Sequence, residues 1–120
     1  MIRKNKKKLI FIQLNEINFE LLKNYSNKYN FKFFNSQFLK KLVNTKSENE
    51  YNLLEPWIQW HTIHTGLSAM EHKVFRLGDA INSKKTQIFE ELEKLKLKVG
   101  SISSMNAINR LENPSYFIPD

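Results

Sequence analysis

Leu9 to Leu14 is an apolar run broken only by Gln13, with β-branched and aromatic members and no alternation. Such a run suits a strand covered on both faces of a parallel sheet. Beyond it, Phe19, Leu22, Tyr25 and Tyr29 recur every three or four residues. They make one apolar stripe of a helix that Asn15 or Asn18 caps. Phe34, Phe38, Leu42 and Val43 predict a second helix in the same way. Glu50 to Leu54 is a weaker strand candidate, stopped by Pro56. Trp57 to Thr65 reads as a short, largely buried helix, with Gly66 just past its end. Turn formers, Gly78 among them, make Leu67 to Lys84 a loop. In the predicted helix Thr86 to Leu97, residues Ile88, Leu92 and Leu95 line one face and Glu90 precedes Lys94 by one turn. Leu97 to Ile102 follows as a core strand, Ser103-Ser104-Met105-Asn106 as a polar turn into a short helical piece, and Asn113-Pro114 as a break.

Strands alternating with helices in this order predict an α/β fold, a mostly parallel sheet with flanking helices. Leu9–Leu14 and Leu97–Ile102 are expected side by side and parallel, with Glu16 and Ser103 at the same edge. Three such strands leave open edges. The expectation is therefore a basic leader over residues 1–8, and over 9–120 the first part of one domain that continues past Asp120.

The length, 120 residues, allows no more than one ordinary domain. A 41 % hydrophobic and 26 % charged composition suits a chain that buries a core. Without cysteine, disulfides, thiolate zinc sites and iron–sulfur clusters are excluded. The net charge of +7 is concentrated at the start, where Arg3, Lys4, Lys6, Lys7 and Lys8 cluster. A run like this holds phosphate or an anionic membrane, or is simply a solvated leader; the last reading is preferred. The apolar stretch after it is too short for a signal peptide and nothing approaches a membrane span, so a cytoplasmic protein is expected. Apart from the pI near 9.6, nothing points to nucleic acid, and no specific nucleic-acid partner is expected.

In open α/β sheets ligands sit at the carboxyl ends of strands. Three polar groups fall there: Asn15-Glu16, the segment from Glu55 to Gly66, and Ser103 to Asn106. A carboxylate directly after a strand, such as Glu16 or Glu55, either holds a cation or interacts with a helix N-terminus. His61, His64 and His72 fall within twelve residues. Their spacing matches no recognised ligand pattern, and packed, hydrogen-bonded histidines are the preferred reading. Trp57 and Trp60 read as core before they read as a stacking platform.

The segment Thr62-Ile63-His64-Thr65-Gly66-Leu67-Ser68-Ala69-Met70-Glu71-His72 resembles the T-G-x-x-P-x-x-H-G stretch that follows the nucleophile in type I phosphodiesterases, nucleotide pyrophosphatases and sulfatases of the alkaline phosphatase superfamily. Leu9 to Glu16 is similar to the family's first strand, which ends in a metal-binding aspartate, and Thr86 to Val99 to its next helix–strand unit. The resemblance implies a large α/β domain with two divalent metals, usually zinc, that activate a hydroxyl or formylglycine against phosphorus or sulfur. Carried onto this chain, it puts Glu16 or Asn15 at a metal-ligand position and Pro56 at the nucleophile position. Glu55, beside it, becomes a second ligand or catalytic anchor. Ala69 stands where proline is usual and Lys73 where glycine is usual. The implied partner is a phosphate- or sulfate-ester small molecule. The rival expectation is a non-catalytic relative that uses the same pocket for binding.

Overall fold

A computed structural model describes residues 8–120, and the chain divides into two compact units, Met1–Asn44 and Thr45–Asp120. Except for Lys8, the basic leader lies outside the described residues.

In the first unit, helix α1 (Phe19–Lys28) starts where Asn18 turns extended and its side chain accepts the Leu21 N–H at 2.9 Å. It stops at Asn30, whose φ of 52° carries the chain into the left-handed region. Phe31 N–H then reaches back to the Ser26 carbonyl at 2.9 Å. Ser26 is buried and ties the next segment down: its hydroxyl donates to Asn35 Oδ1 at 2.7 Å, and Asn35 Nδ2 returns a bond to Ser26 O at 3.1 Å. A π-type turn, Phe34–Phe38, comes next and runs into a 3₁₀ turn, Leu39–Lys41. The second helix predicted through Leu42 and Val43 thus ends early, and Val43 is 84 % exposed.

Leu9 to Leu14 forms no strand, and its apolar side chains are exposed. An apolar run becomes a strand only where another strand accepts its backbone bonds, and among the described residues the sheet has two strands, both far along the chain.

In the second unit, Glu50 to Leu54 is a 3₁₀ turn, Tyr51–Leu53, instead of a strand. The Gln59 side chain fastens it by donating to Leu53 O at 2.7 Å. Pro56 then opens helix α2 (Pro56–Thr65) at a position where its missing N–H costs nothing. Gly66 closes the helix with φ 69° and donates to Thr62 O at 2.8 Å. The expected loop from Leu67 to Lys84 contains two helical pieces. Helix α3 (Ala69–His72) begins at Ser68, whose N–H and hydroxyl both donate to the Glu71 carboxylate. The Glu48 carboxylate accepts the Ala69 N–H at 2.9 Å. A 3₁₀ turn, Asp79–Asn82, follows Gly78.

Helix α4 (Ile88–Lys94) is shorter than its apolar period suggests, and its buried contact is Phe89. The predicted stripe of Ile88, Leu92 and Leu95 is turned outward at its ends, with Leu95 70 % exposed. Lys94 pairs with Glu91, leaving Glu90 to pair with Arg110 at 3.1 Å. Strand β1 (Gly100–Ile102) falls within the predicted strand, but its neighbour is β2 (Tyr116–Ile118), in parallel register Gly100 to Tyr116, Ser101 to Phe117 and Ile102 to Ile118. Bonds from Ser115 N to Val99 O and from Ser103 N to Ile118 O extend the ladder. The Tyr116 ring lies against Gly100 so closely that a Cβ there would collide with the ring carbons. The chain is thus of mixed α/β type with a small parallel sheet.

Candidate functional site

Helix α2 organises the second unit. Its inward residues Ile58, His61 and His64 are almost wholly buried. Ile58 packs with Leu53, Ala69 and the half-buried Trp57. The indole N–H of Trp57 donates to Phe75 O at 3.0 Å, so this tryptophan belongs to the core. Trp60 stacks on His64, and His64 meets Phe89, which in turn meets Phe117 of β2 edge-on. A single chain of rings therefore connects α2, α4 and β2.

His72, at the end of α3, folds back onto α2. Its Nδ1 accepts the Val74 N–H and its Nε2 lies 3.0 Å from Thr62 Oγ1. An amide N–H only donates, so Nδ1 is bare and the neutral ring carries its proton on Nε2, which donates to Thr62. The His61 ring stands edge-on to His72 at 5.0 Å. Its Nδ1 is 3.4 Å from the Asn106 carbonyl, a group that only accepts, so this ring has the opposite tautomer. His61 Nε2 is buried with no hydrogen-bond partner among the described residues.

Burial sets the electrostatics. His72 and His64 are both driven down to about 4, first by desolvation and then by the neighbouring His61. Glu48 and Glu71 pull His72 back upward, and Asp120 does so for His64. His61 is also lowered by burial, against the pull of the Asn106 carbonyl and with the help of the Arg110 charge. Near neutral pH the three rings are uncharged core residues.

Asn106 is the hub that holds these pieces. It is buried, with φ 52°. Its Nδ2 donates to Trp57 O and more distantly to Arg76 O, its Oδ1 accepts the Gly78 N–H, and its own N–H donates to Asp120 Oδ2. Gln87 plays a similar part. Its buried amide both donates to Ile108 O and accepts Ile108 N–H, each at 3.2 Å, as a strand neighbour would. The Arg110 guanidinium donates to the carbonyls of Ser83 and Lys85 and pairs with Glu90.

Of the site residues expected from sequence, Asn15 and Glu16 form an exposed bend in the first unit, with Glu16 at φ 53°. Glu55 lies in the second unit as the residue before α2, exposed, and its side chain makes no capping bond. Glu16 and Glu55 therefore belong to different units. Among the described residues no three Asp, Glu or His side chains gather as a metal ion would need, and the ring nitrogens of His72 are taken by Thr62 and Val74. Ser103, with φ 48°, leads out of β1, where the hydroxyls of Ser101 and Ser104 lie 2.8 Å apart.

Sequence reasoning placed Asn106 in a polar turn without its role as a hub, and overlooked Gln87 and Arg110. The Ser68-x-x-Glu71 spacing is a legible start signal for α3, but nothing in a linear pattern announces a buried amide that bonds a backbone twenty or more residues away. Compared with family models, curated proteins and solved structures, the chain matches none.

Proposed function

We propose that this chain is part of a metal-dependent hydrolase of phosphate or sulfate esters, of the alkaline phosphatase kind, with the rest of a mostly parallel sheet and its flanking helices built around it. Glu55 is the group presented toward the ester, as a metal ligand or anchor. A divalent metal, zinc by the resemblance, would supply the Lewis acid if bound there. The observation that supports this reading is the folded form of Thr62 to His72. Gly66 ends α2 in the left-handed region, and α3 returns His72 to Thr62 Oγ1 at 3.0 Å. That return gives the Thr-Gly to His spacing a physical reason.

A second reading, a non-catalytic relative that binds the ester or the cation without cleaving it, draws on Pro56. A proline in the first turn of α2 has no hydroxyl to attack with. The nearby hydroxyls are committed, Thr65 Oγ1 to His61 O at 2.8 Å and Thr62 Oγ1 to His72. One experiment separates the two. The full-length protein is titrated with Zn²⁺ by calorimetry and assayed on bis(4-nitrophenyl) phosphate and 4-nitrophenyl sulfate, with Glu55→Gln in parallel. Turnover abolished by chelator and by Glu55→Gln supports the hydrolase. Zinc binding lost in Glu55→Gln with no turnover supports the binding relative. No zinc binding and no turnover remove both.

A further inference from the structure

Charge is divided between the two units in a way that overall composition hides. Residues 1–44 hold ten Lys and Arg against Glu16 and Glu20, a net of +8, whereas residues 45–120 hold nine basic against ten acidic, a net of −1. The whole positive balance of the chain therefore belongs to the first unit. Large apolar side chains stand exposed in both units, but in the first they are denser along the chain and have almost no buried residues beside them. Of the first unit's described residues only Ser26 is buried. Leu9 and Ile10 are more than four-fifths exposed, Ile12 is 70 % exposed and Phe33 64 %.

The aromatic residues there form a continuous series. Tyr25, Tyr29, Phe31 and Phe34 follow one another at centroid spacings of 5.8, 6.0 and 6.4 Å, and Phe34 meets Phe33 and Phe38 edge-on. Lysines accompany them: Lys28 Nζ sits 5.4 Å from the Tyr29 ring centre, and Lys32, Lys40 and Lys41 are exposed in the same stretch. Phe33, Gln37, Phe38, Lys41 and Leu42 line an open hollow of about 320 Å³.

We propose that this unit is a peripheral membrane-binding surface that takes anionic lipid. Apolar side chains beside lysines, with almost no acid among them, match the boundary where acyl chains meet negative headgroups. No helix among the described residues is long and apolar enough to cross a bilayer, so the mode is surface attachment. Charge alone would fit nucleic acid equally well. The rest of the surface does not: Leu9, Ile10, Ile12 and Val43 give a base nothing to stack on, and the rings already pack against one another. The inference is independent of Glu55 and α2, which lie in the other unit.

Flotation through a density gradient tests it, because bound chain rises with vesicles while aggregates sink. The chain is expected to float with phosphatidylcholine vesicles containing about 30 % phosphatidylserine, and at least tenfold less with phosphatidylcholine alone. Replacing Lys32, Lys40 and Lys41 together by Gln lowers the affinity on the order of 100-fold, about fivefold for each charge removed. Phe33→Ser weakens binding while leaving its salt dependence unchanged. The triple change Lys73→Gln, Lys84→Gln and Lys85→Gln, in the second unit, leaves binding as it was. Chain that stays at the bottom with anionic vesicles, that floats equally with neutral ones, or that an equimolar single-stranded oligonucleotide strips from the lipid overturns the proposal.

Discussion

Lowering the pH from neutrality puts a proton onto His72 in a place built to refuse it. Nδ1 is the atom that accepts the Val74 N–H at 3.0 Å. A second ring proton there would set two donors face to face and strand the Val74 amide in a site only 3 % exposed. The ring is accordingly held at about 4 in the folded chain, against an ordinary 6.5. A base lowered in the folded state gives stability that is complete above the unfolded value and is lost as pH falls from 6.5 toward 4. A gap of that size is worth roughly 3 kcal/mol, a large fraction of the stability of a small domain. His64, also near 4, loses stability in the same window. Glu71 and Glu93 are held below the usual carboxylate value of 4.5, Glu71 by the Ser68 hydroxyl and amide and Glu93 by the amides of Glu112 and Asn113, so their loss comes only at more acid pH. Urea denaturation followed by far-UV circular dichroism at steps between about pH 7 and pH 5 reads the histidines alone, with a slope approaching ~1.4 kcal/mol per pH unit for each. His72→Gln keeps a donor toward Thr62 and does not titrate. It is expected to be about 1–3 kcal/mol less stable at neutral pH and to lose only the His72 share of the pH slope, because His64 and the lowered His61 still titrate. An unchanged slope in the variant, or stability that rises as pH falls from 6.5, refutes the tautomer assignment.

Three further substitutions probe the supports around α2. Asn106→Ala removes three side-chain bonds, leaves the Gly78 N–H without its acceptor and keeps a Cβ at φ 52°, where Ala is tolerated less well than Asn. A loss of about 3 kcal/mol is expected in the same urea assay, of which Asn106→Gly recovers about 1. Gln87→Leu strands Ile108 N–H and O together; a loss of about 2–4 kcal/mol and faster hydrogen exchange at Ile108 are the expected readouts. Gly66→Ala meets no atom within 4 Å but retains φ 69°, so it isolates backbone strain, with a melting temperature lowered by an amount equivalent to about 1 kcal/mol.

How far the sequence could be read depends on the range over which each signal acts. Helices α1 and α2 are local objects. Asn18, Pro56 and Gly66 specify their ends through bonds to residues a few positions away, and both are predicted close to where they form. Strand β1 also lies inside its predicted span, but its partner β2 is a short stretch between two prolines that carries no strand pattern of its own. The reverse holds for Leu9 to Leu14, where a strong strand pattern has no strand to pair with among the described residues. Strand formation is a property of two segments, and a linear pattern reports on one. The same limit applies to the site. The packing of His61 and His64 follows from the half-apolar face of α2, whereas the opposite tautomers of His72 and His61 depend on Val74 and on Asn106, forty-five residues from His61.

The contact between Gly100 and Tyr116 bears on how two such short strands find their alignment. They are joined by a connection from Ser103 to Ser115 with no tight turn to dictate which residues meet. A ring seated on the one strand position without a side chain acts as an index pin. A slip of one residue would turn the buried Ser101 face outward, and a slip of two, which keeps Tyr116 on its own face, would set its ring against the side chain of Ile102 or of Lys98. Misaligned pairings are excluded by burial or by volume before any hydrogen bond is counted. The glycine thus works as a keyway, admitting a single alignment of two strands that have only three residues each with which to recognise one another.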